Sequence, residues 1–346
     1  MTDEHGGETS AVADRARWTP TAPLLMTVLI GAISVGLLLW VAPPGSVFDQ
    51  IGDMNPVWVV VAIALELGSC LGYVVIFRRF FPEPPRAVSR QVGWIAMGAG
   101  AVLPGGNISS AAATGWLMRR HGIGTRTLLE RCAALLCLLT GFGFFINGLA
   151  GVLLLVGVPG GPHDLAHAGV PILVSVGVLG GGALVVIAAR RCGTRGGRRF
   201  QLLRGVAVGL EGAWRTARSP SWRLLGGAAF LLLDMGALWA ACAATGHPLG
   251  VPALVIAYCI GYLATVVPMP AGLGVLDSGL AASLVLYGLS PVASVGAVLV
   301  YHAIAIWVPG LGGLAAWLPT RRLPAPAPVT AVAAGLVPER PAAVGA

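Results

Sequence analysis

The 346-residue chain is 56% hydrophobic and 10% charged, with a net charge of +8. Soluble domains carry about 25% charged residues, so a soluble globular protein is excluded. The basic balance does not point to nucleic acid either: all 22 basic residues are Arg, gathered in a few short loops and the two tails, which is the cytoplasmic-loop pattern of a membrane protein.

Residues 1–23 read as a cytoplasmic tail, because the apolar run after them is long enough to span and needs no cleavage. Leu24 to Ala42 is the first predicted span, followed by a loop from Pro43 to Pro56 that holds Asp49 and Asp53 but no Arg. Val57 to Phe77 is the second, ending on Arg78 and Arg79 with Arg86 and Arg90 close behind. Val92 to Met118 is broken by Pro104-Gly105-Gly106-Asn107. Each half has about a dozen residues, roughly 18 Å of helix, too short to cross a core of about 30 Å. Arg119, Arg120, Arg126 and Arg131 follow Met118. Only a hairpin that enters and leaves on one side keeps them with the other Arg residues, so a re-entrant hairpin is predicted.

Cys132 to Val158 crosses outward, and Pro171 to Ala189 returns to a basic loop, 190–223, with nine Arg. In that loop Leu203, Val206, Leu210 and Trp214 recur at helical spacing. They fit an amphipathic helix on an anionic leaflet or an ordinary positive-inside loop. Leu224 to Ala244 crosses again. Pro252–Val267 and Leu273–Tyr287 form a second hairpin around Pro268-Met-Pro270-Ala-Gly272-Leu-Gly274, entered from the opposite face, and Val292 to Leu318 completes the set. Residues 319–346 are a Pro/Ala-rich tail that cannot bury a core.

The expected architecture is an all-α integral membrane protein, with about six full transmembrane helices and two re-entrant hairpins in one transmembrane domain, 24–318. Both termini are cytoplasmic, in the plasma membrane. The hairpins match at an offset of 166 residues: Pro104 meets Pro270, Gly106 meets Gly272 and Gly122 meets Gly288. Paired Gly/Pro-broken segments in two halves mark an inverted repeat and a transporter-type site. The halves are taken as about 24–158 and 171–318.

With these motifs placed, Pro270-Ala-Gly-Leu-Gly-Val-Leu-Asp277 resembles the Pro-x-Gly-Gly-x-Gly-x-x-Glu stretch of the transmembrane, flippase-type domain of lysylphosphatidylglycerol synthases. Gly288, Gly310 and Gly312 continue the similarity, and Leu103-Pro104, Gly106, Gly122 and Glu130-Arg131 carry it in the first half. The resemblance covers roughly residues 24–318. It implies movement of a phospholipid or isoprenoid-linked lipid between leaflets. Asp277 replaces the family's usual Glu, Asn107 with Ala111-Ala112-Ala113 leaves the first motif without an acid, and His302 stands where relatives commonly have Arg. The chain also lacks the soluble aminoacyl-transferring domain of the fused members, so it resembles a stand-alone form.

The candidate lipid cavity takes in both hairpin loops, Pro104, Gly105, Gly106, Asn107, Pro270, Gly272 and Gly274. Helix N-termini and bare glycine backbone there favour a phosphate, although tight turns alone also explain the glycines. Asp277, Glu66 and Asp234 lie at membrane depth, where a charge costs on the order of 3 kcal/mol and marks function by default; a structural acid is the plainer alternative. His302 is placed to pair with one of them or to serve packing. Arg131 is positioned for a lipid phosphate or serves the positive-inside rule alone. No Walker loop, Gly-x-Ser-x-Gly elbow or His-Glu-x-x-His motif occurs, and the cysteines lack metal-ligand spacing. No catalytic residue, metal or cofactor is expected. Three functions remain open: a lipid translocase, a non-transporting accessory that scaffolds a lipid-modifying enzyme, and an intramembrane headgroup enzyme.

Overall fold

The computed structural model describes residues 36, 42–103, 105–159, 161–192, 198–263 and 275–322. Among them are eleven α-helices and no strand: α1 Pro44–Gly52, α2 Pro56–Phe80, α3 Arg86–Val102, α4 Asn107–Arg119, α5 Thr125–Leu155, α6 Leu165–Cys192, α7 Arg198–Arg218, α8 Leu224–Ala244, α9 Val251–Leu263, α10 Val275–Leu286 and α11 Pro291–Trp317. A 3₁₀ turn, Leu318–Arg322, follows. Five helices, α2, α5, α6, α8 and α11, are long and apolar enough to cross a bilayer, so the chain is a multi-pass membrane protein. The predicted first span, apart from residues 36 and 42, the N-terminal tail and the C-terminal tail beyond residue 322 lie outside the described residues, and the start of that C-terminal tail is the 3₁₀ turn.

The starts of the long helices are written locally. Asn55 Oδ1 accepts from the Val57 N–H at 3.0 Å, with Pro56 supplying the preset φ of a first helical residue. Ser290 Oγ accepts from Ala293 N–H ahead of α11, again with a proline next in line. One stretch read as a loop proves helical, and a second, for which the sequence leaves helix and loop both open, is helical as well. Between Pro43 and Pro56, α1 forms with its Val47 buried, and Gln50 and Met54 cover Gly296 at the start of α11. Within the basic loop, α7 forms and lays Gly209 and Gly212 on Ala133 and Ala134 of α5, burying its own Ala207 and Ala213. One face of α7 therefore meets protein, not lipid.

α6 begins six residues before its predicted start at Pro171. A proline inside a helix frees the carbonyl four residues back, here His167. The Tyr287 hydroxyl donates to that carbonyl at 3.0 Å, which satisfies it and lets the helix run through.

Both predicted hairpins form, α3 packed on α4 and α9 packed on α10. Arg131 at the start of α5 grips Glu83 ahead of α3 with two bonds of 2.7 and 2.6 Å, so the first hairpin begins and ends on one side. At its tip Gly105 and Gly106 take φ of +96° and +47°, which residues with a Cβ rarely adopt. Gly122 and Gly288 close the two hairpins with matching positive φ of 79° and 110°.

The helices repeat at the offset of 166: α2, α3, α4 and α5 correspond to α8, α9, α10 and α11, with α6 and α7 between the two sets. Packing repeats reciprocally too: α3 lies on α11, and α9 lies on α5. At the centre α2 runs antiparallel to α8. The Asn55 N–H donates to Ala244 C=O at 3.0 Å, and Ser69 Oγ donates to Phe230 C=O at 2.8 Å. Residue i thus faces residue 299 − i, while mates differ by 166, and the two conditions meet at residues 66–67 opposite 232–233. The pseudo-two-fold axis passes there. Since α2 and α8 are antiparallel, the hairpins that follow them start from opposite ends of the pair, as an inverted repeat requires.

Small residues make these crossings possible. A Cβ on Gly72 would sit 2.8 Å from Gly226 O and 2.7 Å from Phe230 N. Gly98 and Gly313 bring α3 and α11 equally close, and Gly261 receives Leu280 between the arms of the second hairpin. In lipid, association relies on this close contact because tails are as apolar as the helices.

Candidate functional site

The pseudo-axis carries the buried acids. Glu66 of α2 lies on it, and Asp234 of α8 faces Glu66 within hydrogen-bonding reach. Asp234 accepts from two hydroxyls, Tyr301 of α11 at 2.8 Å and Tyr258 of α9. Cys70 Sγ, one turn along α2, approaches Glu66 Oε1 at 3.8 Å, while Glu66 Oε2 is buried with no donor among the described residues. Two adjacent carboxylates at membrane depth repel strongly, and a proton shared between them removes the repulsion.

A second polar pair stands beside this set. His302 Nδ1 bonds Asp277 Oδ1, joining α11 to α10 one residue along from Tyr301. Glu66, Asp234, Tyr258, Asp277, Tyr301 and His302 are each no more than 7% exposed. Four long or half-length helices of the second repeat and one of the first thus converge polar atoms on one interior region. Sequence reasoning found the three acids and the histidine; it missed Tyr258 and Tyr301. Their signal was present, since a phenol inside an apolar run needs a partner for its O–H.

The remaining candidates are distributed differently. Arg131 is occupied by Glu83, which holds it at the base of the first hairpin. That bond in turn keeps the Glu83 carboxyl below the usual carboxylate range. Gly105, Gly106 and Asn107 lie at the tip of the first hairpin, where Gly106 O caps α4 by accepting from Ser110 N–H at 3.0 Å and Asn107 is exposed. Pro104, Pro270, Gly272 and Gly274 fall outside the described residues.

Two cavities sit at opposite ends of the α2–α8 pair. One, of about 440 Å³, lies where α2 begins and α8 ends, lined by Asp53, Asn55, Trp58, Trp239 and Thr245. The other, of about 570 Å³, lies where α2 ends and α8 begins, lined by Arg78, Arg86, Arg90, Trp222 and Arg223. Neither is lined by the buried acids, which occupy the height between them. Among the described residues no group of His, Cys, Asp and Glu has metal-binding geometry.

A family model described as the lysylphosphatidylglycerol synthase TM region matches residues 27–313. No curated protein matches the chain.

Proposed function

This chain belongs to the lysylphosphatidylglycerol synthase transmembrane-region family, and from that premise we propose that it moves a phospholipid or isoprenoid-linked lipid between leaflets, without itself being an enzyme. One observation carries the proposal: a polar set buried on the pseudo-two-fold axis of an inverted repeat, with a cavity at each end of the same helix pair. Alternating access across such a repeat exposes a fixed central site first to one cavity and then to the other. Glu66–Asp234 and Asp277–His302 supply exchangeable protons, or cation-binding carboxylates, to the site as it opens.

The basic end of the bundle, with Arg78, Arg79, Arg119, Arg190 and Arg321, is assigned to the cytoplasm by the positive-inside rule. The end with Asp49, Asp53 and Asp164 is then external, and the membrane is the plasma membrane. A lipid-modifying enzyme is the partner best suited to α7, whose outer face presents Arg204, Arg215 and Trp214.

Purified protein reconstituted into vesicles with a headgroup-labelled phospholipid tests the proposal. An impermeant quencher reads the label in the outer leaflet alone. Protein-dependent access to label from the inner leaflet is expected; a quenched fraction equal to that of empty vesicles contradicts it.

A further inference from the structure

The cavity at the basic end gathers four arginines around one space. Arg78 from the last turn of α2, Arg86 and Arg90 from α3, and Arg223 before α8 face the same space of about 570 Å³. Three guanidinium groups elsewhere at this end are matched by acids, Arg126 by Glu130, Arg131 by Glu83 and Arg190 by Glu211, while others meet only neutral oxygens, Arg79 at Ser219 and Arg119 at the Gly115 carbonyl. Among the described residues no carboxylate lies in ion-pair range of the four that line the cavity. Arg78 Nε is buried there without an acceptor. Four like charges around one space repel each other, and an anion in that space removes the repulsion.

The rest of the lining describes the ligand. Val74, Val75, Ala87 and Trp222 make the remaining wall apolar, and Trp222 is 66% exposed at the level where interfacial tryptophans sit. A site with guanidinium groups on one side and aliphatic and aromatic surface on the other suits an amphiphile. Four positive charges exceed the single charge of a phosphodiester and fit a terminal phosphate, which carries about −1.5 to −2, or a diphosphate. Guanidinium forks also match phosphate oxygens two at a time.

We propose that Arg78, Arg86, Arg90 and Arg223 bind the terminal phosphate or diphosphate of a membrane lipid at the basic end of the bundle, with its chain lying along Val74, Val75 and Trp222. The site deepens the lipid-translocase reading and rests on it for its role, as the station where a lipid is held in one leaflet. Its pseudo-symmetric counterpart gives the site a direction. The mate of Arg78 is Ala244, and the cavity at that end carries Asp53 in place of the arginines. A lipid phosphate is therefore retained at one end and released at the other.

Native mass spectrometry of the full chain in phosphatidylcholine nanodiscs doped with phosphatidic acid tests the assignment by counting bound phosphatidic acid. The Arg86→Gln/Arg90→Gln double variant changes two exposed side chains, and Arg223→Gln provides a second variant should the first fail to fold. Each is expected to lower occupancy about tenfold, the scale of a lost charge-assisted hydrogen bond. Arg126→Gln, remote in its pair with Glu130, is expected to bind as wild type does. Inorganic phosphate added as competitor should leave the bound lipid in place. Equal occupancy in the arginine variants and Arg126→Gln overturns the assignment. Displacement by inorganic phosphate overturns it as well, since the site would then serve a soluble anion. Binding is read without transport, so a protein that binds phosphatidic acid but moves no lipid upholds this site and contradicts the translocase proposal.

Discussion

Repeat one and repeat two place helices of similar length at the same offset and pack them reciprocally. Yet where repeat two has Asp234, Tyr258, Asp277, Tyr301 and His302, repeat one has Gly68, Val92, Ala111, Leu135 and Leu136. The reverse holds for the charged Glu66, whose mate is Leu232, and for the uncharged Ser69, Thr114 and Asn147, whose mates are Met235, Leu280 and Gly313. Polar groups at membrane depth cost on the order of 3 kcal/mol for each charge, whereas close apolar helix packing costs little there. Two-fold packing is therefore kept in both halves, while the polar chemistry is carried mainly by one. The lesson is that the symmetric packing builds the scaffold, while the asymmetric polar residues are the ones the proposed lipid path would use.

If that division is right, breaking a shared crossing should have the largest effect. Gly72→Leu drives a side chain into the backbone of α8 at Gly226 and Phe230, where overpacking costs about 3 kcal/mol or more. Loss of monodisperse protein and a lower melting temperature in detergent are expected; an unchanged melting curve would refute the antiparallel register.

Substitutions in the asymmetric set should be milder for stability. Tyr301→Phe removes the hydroxyl that donates to Asp234 at 2.8 Å, an expected cost of about 1–3 kcal/mol. At the mate position, Leu135→Ile should cost less than about 1.5 kcal/mol. Thermal melts of both variants compare the halves directly, and a larger loss at Leu135 would contradict the special place of the polar half.

The smallest effect is expected at the Glu83–Arg131 clamp, which is partly exposed and worth about 0–1 kcal/mol. The Arg131 hydrogen bonds hold Glu83 below its ordinary range. Its stabilisation is then present above about pH 4.3 and is lost as acid protonates the folded state. Glu83→Gln should melt nearly as wild type does near neutral pH and show a shallower loss in acid. Identical acid profiles would show that the clamp contributes nothing.

The scaffold was legible in the sequence because lipid imposes hard constraints. Spans need length, irregular backbone needs shelter, and Arg needs the cytoplasm. Pro104-Gly105-Gly106 with the four Arg residues after Met118 was enough to identify a re-entrant hairpin. The site was legible only as separate residues. Pairing Glu66 with Asp234 depends on the antiparallel register of α2 and α8, set by Ser69–Phe230 and Gly72–Gly226, and no local pattern announces it. Arg131 was legible as a cation at the hairpin mouth but not as the partner of Glu83, 48 residues away. The helix at α7 was obscured by its arginines, which suit a loop equally well until Gly209 and Gly212 are seen against α5.

The central claim is that the polar half forms the lipid path, and Asp277 tests it most directly. Asp277→Asn keeps the shape and the hydrogen bond to His302 but removes the titrating group, Asp277→Glu restores the family's usual residue, and Ala111→Ser alters the mate position. In the vesicle assay with labelled phospholipid, Asn is expected to abolish leaflet exchange while expression and melting stay near wild type; Glu and Ala111→Ser should retain it. Exchange by Asp277→Asn as fast as wild type would contradict the account.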